Sequence, residues 1–192
     1  MKKAAENRIR VTVLIHDGFE ETELIAPVDL LKRAGAEVCL VSMTGRRSLS
    51  GAHNIIIAAD KIWEETDPEA DFDCVFLPGG GPNSKSLRED KRVLKFVKYA
   101  YDAGKTVAAI CAAPTVLERA GIIGGKNVTS YPGCLPENSK DYNYKKEPVV
   151  IDGRLITGRG AGCAFMFGLK LTGMLFGEQK AVELAEGTIY PH

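Results

Sequence analysis

The chain has 192 residues, 45% hydrophobic and 26% charged, within the range of one compact α/β domain with a substantial core. Its 25 basic and 25 acidic side chains cancel, so there is no global field to recruit nucleic acid or an anionic membrane. No apolar run approaches the roughly 18 residues of a membrane span, and the opening "MKKAAENRIR" lacks the apolar segment of a secretory signal. The expectation is a cytoplasmic protein, a single domain over 1–192 with 1–8 as a flexible N-terminus, whose partner is a small molecule or another protein.

Short apolar runs alternate with amphipathic segments from one end to the other. This pattern predicts βαβ units, with a mostly parallel sheet covered by helices on both faces. In chain order the predicted strands are Arg10–His16, Glu37–Ser42, Cys74–Leu77, Thr106–Ile110 and Leu155–Thr157. Between the first two, "ETELIAPVDLLKRAG" places Leu24, Leu30, Leu31 and Ala34 at near-helical spacing, with acids first, Lys32 and Arg33 late, and Gly35 as the stop. "RRSLSGAHNIIIAAD" then reads as a hairpin or edge-strand excursion. "SLREDKRVLKFVKYAYDAGK" reads as the next helix, on Leu87, Leu94, Val97 and Ala100. "SYPGCLPENSKDYNYKKEPVVIDGRLITG" reads as a polar loop followed by a hairpin turning at Asp152-Gly153. Both excursions are expected as antiparallel additions to the sheet. A long helix over Gly162–Phe176 and a shorter one in "QKAVELAEG" close the chain.

Five widely scattered cysteines without a C-x-x-C pair fit neither a disulfide framework nor a zinc site. Cys39 and Cys74 lie in strand-like runs, where cysteine serves as a small packing residue.

Ligands of open α/β sheets bind outside the carboxyl ends of the strands, so four strand-to-helix turns carry the functional argument. In "HDGFEETE", Glu20, Glu21 and Glu23 meet a helix start, where acids are ordinary dipole complements unless one points inward. "LPGGGPNS" can form a backbone N–H nest for an anion, and it matches no nucleotide-binding fingerprint. In "TVAAICAAPTVL", Cys111 falls in the short joint between a buried strand and a helix with Pro114 in its first turn, the layout of a nucleophile elbow. The helix N-terminus is expected to favour the thiolate, and the Ala112 N–H to face a substrate oxyanion. The alternative is a cysteine buried between alanines. In "TGRGAGCAF", Arg159 is either an anion-binding group or a clamp on a loop or dimer contact, with Cys163 in the helix's first turn. A thiol hydrolase needs a histidine base. The chain has His16, His53 and His192, none beside Cys111.

Taken together, "DGFEETELIAPVDLLKRAG", "LPGGGPN", "AAICAAPTVL" and "LITGRGAG" resemble, in order and spacing, the ThiJ/PfpI superfamily and its parkinsonism-associated deglycase branch. The resemblance covers nearly the whole chain. It implies a flavodoxin-like three-layer sandwich, commonly a homodimer, needing neither cofactor nor metal. Cys111 becomes the nucleophile and an oxidation-sensitive thiol, and Glu23 the carboxyl that hydrogen-bonds it. Gly80 and Ala112 correspond to the amides of the anion pocket, and Arg33 and Arg159 to arginines of the site or the dimer contact. His53 falls where relatives often carry an arginine reaching across the dimer. Tyr131 stands where deglycase-like relatives often have histidine, and Ala112 where the protease-like branch has it, which argues against peptidase activity. The implied function is glyoxalase- or deglycase-type chemistry on methylglyoxal and related α-oxoaldehydes, free or as early protein adducts. The alternatives are a redox sensor or chaperone acting through a Cys111 sulfinic acid and, less favoured, a hydrolase or amidotransferase.

Overall fold

A computed structural model describes residues 8–67 and 71–191. The expected flexible N-terminus therefore lies, save for Arg8, outside the described residues. In chain order the elements are β1 (Arg10–Ile15), α1 (Glu21–Ala34), β2 (Glu37–Ser42), β3 (Ser48–Ser50), β4 (Ile56–Ala58) and β5 (Lys61–Ile62). There follow β6 (Cys74–Leu77), α2 (Gly81–Glu89), α3 (Lys91–Asp102), β7 (Thr106–Ile110), α4 (Pro114–Arg119), β8 (Asn127–Val128) and β9 (Asn143–Tyr144). The chain closes with β10 (Val149–Asp152), β11 (Leu155–Gly158), α5 (Ala164–Phe176) and α6 (Glu178–Gly187).

Seven strands form the central sheet in the order β10-β11-β7-β6-β1-β2-β5. All neighbouring pairs are parallel except β10 with β11, which turn at Asp152-Gly153, where Gly153 takes φ +62. The central strand β6 is apolar and buried on both faces because each face meets a helical layer. On β6, Cys74 and Phe76 point into one core with Leu24, Val28, Leu31, Phe167 and Leu171 of α1 and α5. Val75 and Leu77 point the other way, against Leu87, Val93, Phe96, Val97 and Leu117 of α2, α3 and α4. Phe76 and Phe167 meet at a centroid distance of 5.6 Å. Full burial of such a side chain contributes about 1.5–3 kcal/mol. Gly168 on α5 lets that helix approach α1 closely, since a Cβ there would come within 2.9 Å of the Pro27 Cα.

Two expectations are corrected. "RRSLSGAHNIIIAAD" does not join the central sheet: β3 and β4 pair with each other as a separate antiparallel hairpin. The helix expected over "SLREDKRVLKFVKYAYDAGK" is two helices. Asp90 is extended (φ −81, ψ 111) and its carboxylate accepts the Arg92 N–H at 2.8 Å, so it caps α3 instead of continuing α2. α1 ends as expected at Gly35, with φ +99.

The chain runs outward from β1 to β2 and β5, then returns to β6 on the other side of β1. This reversal opens a crevice at the carboxyl ends of β1 and β6, and the turns after β1, β6, β7 and β11 converge on it.

Candidate active site

Cys111 follows β7 and takes φ +65, the left-handed region that costs a residue with a Cβ about 1 kcal/mol or more. Its backbone is held on both sides: its N–H donates to the Gly158 carbonyl at 2.9 Å, and its carbonyl accepts the Tyr131 N–H at 2.8 Å. The strained residue thus sits in the short joint between β7 and α4 that "TVAAICAAPTVL" predicts, a layout that holds a side chain up at the sheet edge.

Glu23 sits in the first turn of α1, only 1% exposed. Its position is set locally, because the Glu20 carboxylate caps the helix by accepting the Glu23 N–H at 2.7 Å. The carboxyl lies against the turn after β6: a Cβ on Gly79 would come within 2.1 Å of Glu23 Oε2 and 2.5 Å of the Cys111 Cβ. Gly79 is thus the floor shared by the carboxyl and the thiol. Gly80 is equally constrained, with φ +92 and a Cβ position 2.1 Å from the Gly18 carbonyl. Both glycines are required by close approach.

The electrostatics of the pair differ from the sequence expectation. Burial, then the charge of Glu23 and the close approach of its carboxyl, push the Cys111 thiol up to about 12, against the lowering effect of the Gly80 and Ala112 amides. The expected helix stabilisation of the thiolate is outweighed: α4 has six residues and starts three positions after Cys111. Burial likewise raises the Glu23 carboxyl to about 7, opposed by the Cys111 thiol and the Gly79 amide. Two acids this close titrate as one unit, so near neutrality the pair keeps a proton and carries at most one negative charge. Oε2 lies against Gly79, yet no donor reaches it with the geometry of a formed hydrogen bond. A buried carboxyl oxygen without a formed bond is available to a substrate proton.

The other sequence-derived candidates divide. The Gly80 and Ala112 amides lie close enough to Cys111 to oppose the rise of its thiol. Tyr131 is half-exposed at the mouth: the Cβ position of Gly160 lies 3.5 Å from its Cδ2 and 4.0 Å from Glu23 Oε1. Arg159 serves as a loop clamp, its Nη1 donating to the Lys146 carbonyl at 2.6 Å and its N–H to that of Pro148 at 2.8 Å. Arg33 is turned to solvent and bonded to Asp29 at 2.7 Å, with no bond to Glu23 or Cys111 among the described residues. His53 pairs within its own chain: Glu21 takes its Nδ1 at 2.8 Å and its N–H at 2.7 Å. That pairing lowers the Glu21 carboxyl against the effect of burial and raises the exposed His53 imidazole. Glu20, Glu21 and His53 bring ligand-type atoms within 4.8 Å of one another, but the cap and the hairpin bonds already engage them.

Asn83 has a role that sequence reasoning missed. Fully buried, it accepts the His16 N–H at 2.7 Å and donates to the Pro78 and Gly79 carbonyls at 2.8 and 3.0 Å. It ties the end of β1 to the Gly79 turn and so fixes the floor of the site. Its only sequence signal is an amide side chain in the first turn after "PGGGP".

Among the described residues no helix is long and apolar enough to cross a membrane. Comparison with known proteins places this geometry in a family. A model described as "DJ-1/PfpI family" matches residues 9–174. Protein dj-1beta of Drosophila melanogaster is 36% identical over 178 residues, covering 92% of this chain and 95% of that protein. A deglycase of Pyrococcus abyssi is 35% identical over 155 residues, covering 80% and 92%. The crystal structure of Drosophila DJ-1beta superposes with a TM-score of 0.91 at 35% identity, covering 96% of this chain and 100% of that one. An oxidized Toxoplasma gondii DJ-1 superposes at 0.89 with 28% identity, covering 96% and 100%. The fold is therefore the flavodoxin-like α/β fold of these relatives, and the chain belongs to the DJ-1/PfpI family.

Proposed function

We propose that the protein is a cofactor-independent cysteine enzyme acting on methylglyoxal-type α-oxoaldehydes, either free or as early adducts on protein side chains. The observation that carries this reading is the buried Glu23 Oε2, left without a formed hydrogen bond beside a strained cysteine. The Pyrococcus abyssi relative named a deglycase adds support.

In this mechanism Cys111 Sγ adds to the aldehyde carbon, and the carbonyl oxygen, taking the proton, becomes the hydroxyl of a hemithioacetal. The Gly80 and Ala112 amides stabilise the oxyanion that precedes it. Glu23 then removes the proton from that carbon and returns one to the neighbouring carbon, leaving a thioester of a 2-hydroxy acid. Water cleaves the thioester, releases the hydroxy acid and restores the thiol. The net change is addition of one water, with no redox partner. The shared proton is central: the resting pair ionises first at Glu23, and attack needs that distribution reversed, with the sulfur charged and the carboxyl protonated, a shift the Gly80 and Ala112 amides assist.

A homodimer belongs to the same proposal. Ile25 on α1 and Ile55 beside β4 are both exposed; Ile25 lies one turn beyond Glu21, whose carboxylate accepts the Ile55 N–H at 3.4 Å. Sedimentation of the native protein reads that assembly.

The test is methylglyoxal consumption with product identification on parent, Cys111→Ala and Glu23→Gln proteins. Both variants are expected to lose at least about 100-fold, in line with removal of a nucleophile or a general acid–base. Variants that consume the aldehyde as fast as the parent would end this reading.

A further inference from the structure

All five cysteines are free thiols, and their surroundings are not equivalent. Cys74 is fully buried in β6, and burial drives its thiol far out of the reactive range. Cys39 lies in the amino-terminal half of β2 opposite Thr12, away from the carboxyl ends of the strands, and burial raises its thiol too. The Cys163 thiol is occupied: Sγ is placed to donate to the Gly160 carbonyl at 3.0 Å or the Pro148 carbonyl at 3.1 Å, and it accepts the Gly160 N–H at 3.4 Å.

Cys134 is different. Its N–H donates to the Tyr131 carbonyl at 3.0 Å, and the Tyr131 N–H donates to the Cys111 carbonyl at 2.8 Å, so two successive backbone bonds tether it to Cys111. Its thiol is partly buried, and burial raises it as at Cys39, with Arg88 opposing and Glu23, the carboxyl that also borders Cys111, adding to the rise; what sets Cys134 apart is its place beside Cys111. Among the described residues its Sγ makes no hydrogen bond. The residue before it, Gly133, takes φ +83, so the turn is hinged on a glycine.

We propose that Cys134 is the resolving thiol of Cys111, so that a hydroperoxide converts the pair to an intrachain disulfide across the mouth of the site. The Cys111 thiolate attacks one peroxide oxygen, the O–O bond breaks, and water or an alcohol leaves Cys111 as a sulfenic acid. The Cys134 thiolate attacks that sulfur; the S–S bond forms, and the departing hydroxide leaves as water with the proton Cys134 gave up. Two thiols have lost two electrons to one peroxide. A disulfide needs its Cα atoms within about 7 Å; the two backbone bonds through Tyr131 hold the segments together, and the proposal requires the Tyr131–Cys134 turn to close the remaining gap by rotation at Gly133. The bridge blocks the nucleophile and also shields it from overoxidation until a dithiol reopens it. This step needs only a peroxide-reactive Cys111 and is independent of the aldehyde substrate.

The test treats the full, reduced chain with a small molar excess of hydrogen peroxide, since the disulfide consumes one peroxide and a two-oxygen product two, then alkylates the remaining thiols and maps the peptides. The expected parent product is lighter by two hydrogens, keeps three alkylatable thiols of the original five, joins the Cys111 and Cys134 peptides, and returns to five thiols with dithiothreitol. Cys134→Ser is expected to gain two oxygens at Cys111, irreversibly, while the reduced variant, whose Cys111 and Glu23 are untouched, consumes methylglyoxal at a rate comparable to the parent's. A parent that accumulates the two-oxygen product with Cys134 still alkylatable, or a cross-link mapped to Cys163, overturns the proposal. Methylglyoxal consumption by the reduced parent is read in parallel, so a disulfide without aldehyde consumption counts against the enzymatic reading alone.

Discussion

Glu23→Gln replaces an ionisable buried group by a neutral one of nearly the same shape, and its main effect on stability is expected to depend on pH. Burial lifts the folded carboxyl from 4.5 to about 7. Below pH 4.5 the group is protonated folded and unfolded, so ionisation costs the parent nothing. Between these limits the unfolded carboxyl has ionised while the folded one keeps its proton, so the folded state binds more protons and stability falls as pH rises. Above about 7 the loss is complete. At about 1.4 kcal/mol per pH unit of separation, the parent loses about 3 kcal/mol relative to the variant across the window. For a chain of this length that corresponds to about 6–12 °C of melting temperature. Urea unfolding of both proteins at pH 4.5 and pH 8 measures it: the difference between them is expected to move by that amount in favour of Gln at pH 8. A difference that stays constant with pH would refute the claim that Glu23 is held protonated by burial.

The same substitution removes the second and third causes of the raised Cys111 thiol, so the pH midpoint of Cys111 alkylation is expected to fall relative to the parent's; an unchanged or higher midpoint would separate the two groups. Gly79→Ala pushes a methyl into Glu23 Oε2 and the Cys111 Cβ, with an expected cost of about 1–3 kcal/mol from overpacking. A displacement of about 1 Å costs about 100-fold in aldehyde turnover, so a variant with parental melting and turnover would contradict the shared floor. Asn83→Ala orphans the His16 N–H and two carbonyls, about 1–3 kcal/mol for each buried group left unpaired, and thermal melting reads the loss. Asp90→Ala removes the α3 cap at an expected cost of about 0.5–2 kcal/mol, with turnover at the distant site unchanged.

Much of the sheet is legible because its inner strands are buried on both faces and their side chains are therefore mostly apolar. β7 and β6 fall where the runs "TVAAI" and "CVFL" place them. The break at Asp90 was not legible from the apolar spacing, since Leu87, Leu94 and Val97 keep a helical rhythm through it and only the cap geometry ends α2. The hairpin β3–β4 alternates like an edge strand, and whether it pairs with the sheet or with itself depends on long-range register that local pattern does not carry.

Cys111 announced itself by sequence alone, because a tight strand-to-helix joint with small neighbours is a local property. Glu23 could be separated from Glu20 and Glu21 only by family resemblance, and the fold supplies the physical reason: the Glu20 cap orients α1 so that Glu23 points inward and Glu21 reaches the hairpin. The direction of the Cys111 shift was misjudged from sequence, where the helix end was visible and the burial was not. Desolvation and the charge of Glu23 come from segments far apart in the chain. Sequence periodicity determined which elements form and where their turns lie. Only the tertiary structure brought Gly79, Glu23, Asn83 and Cys111 together in one desolvated crevice, because long-range packing sets both their distances and the loss of water that governs their protons.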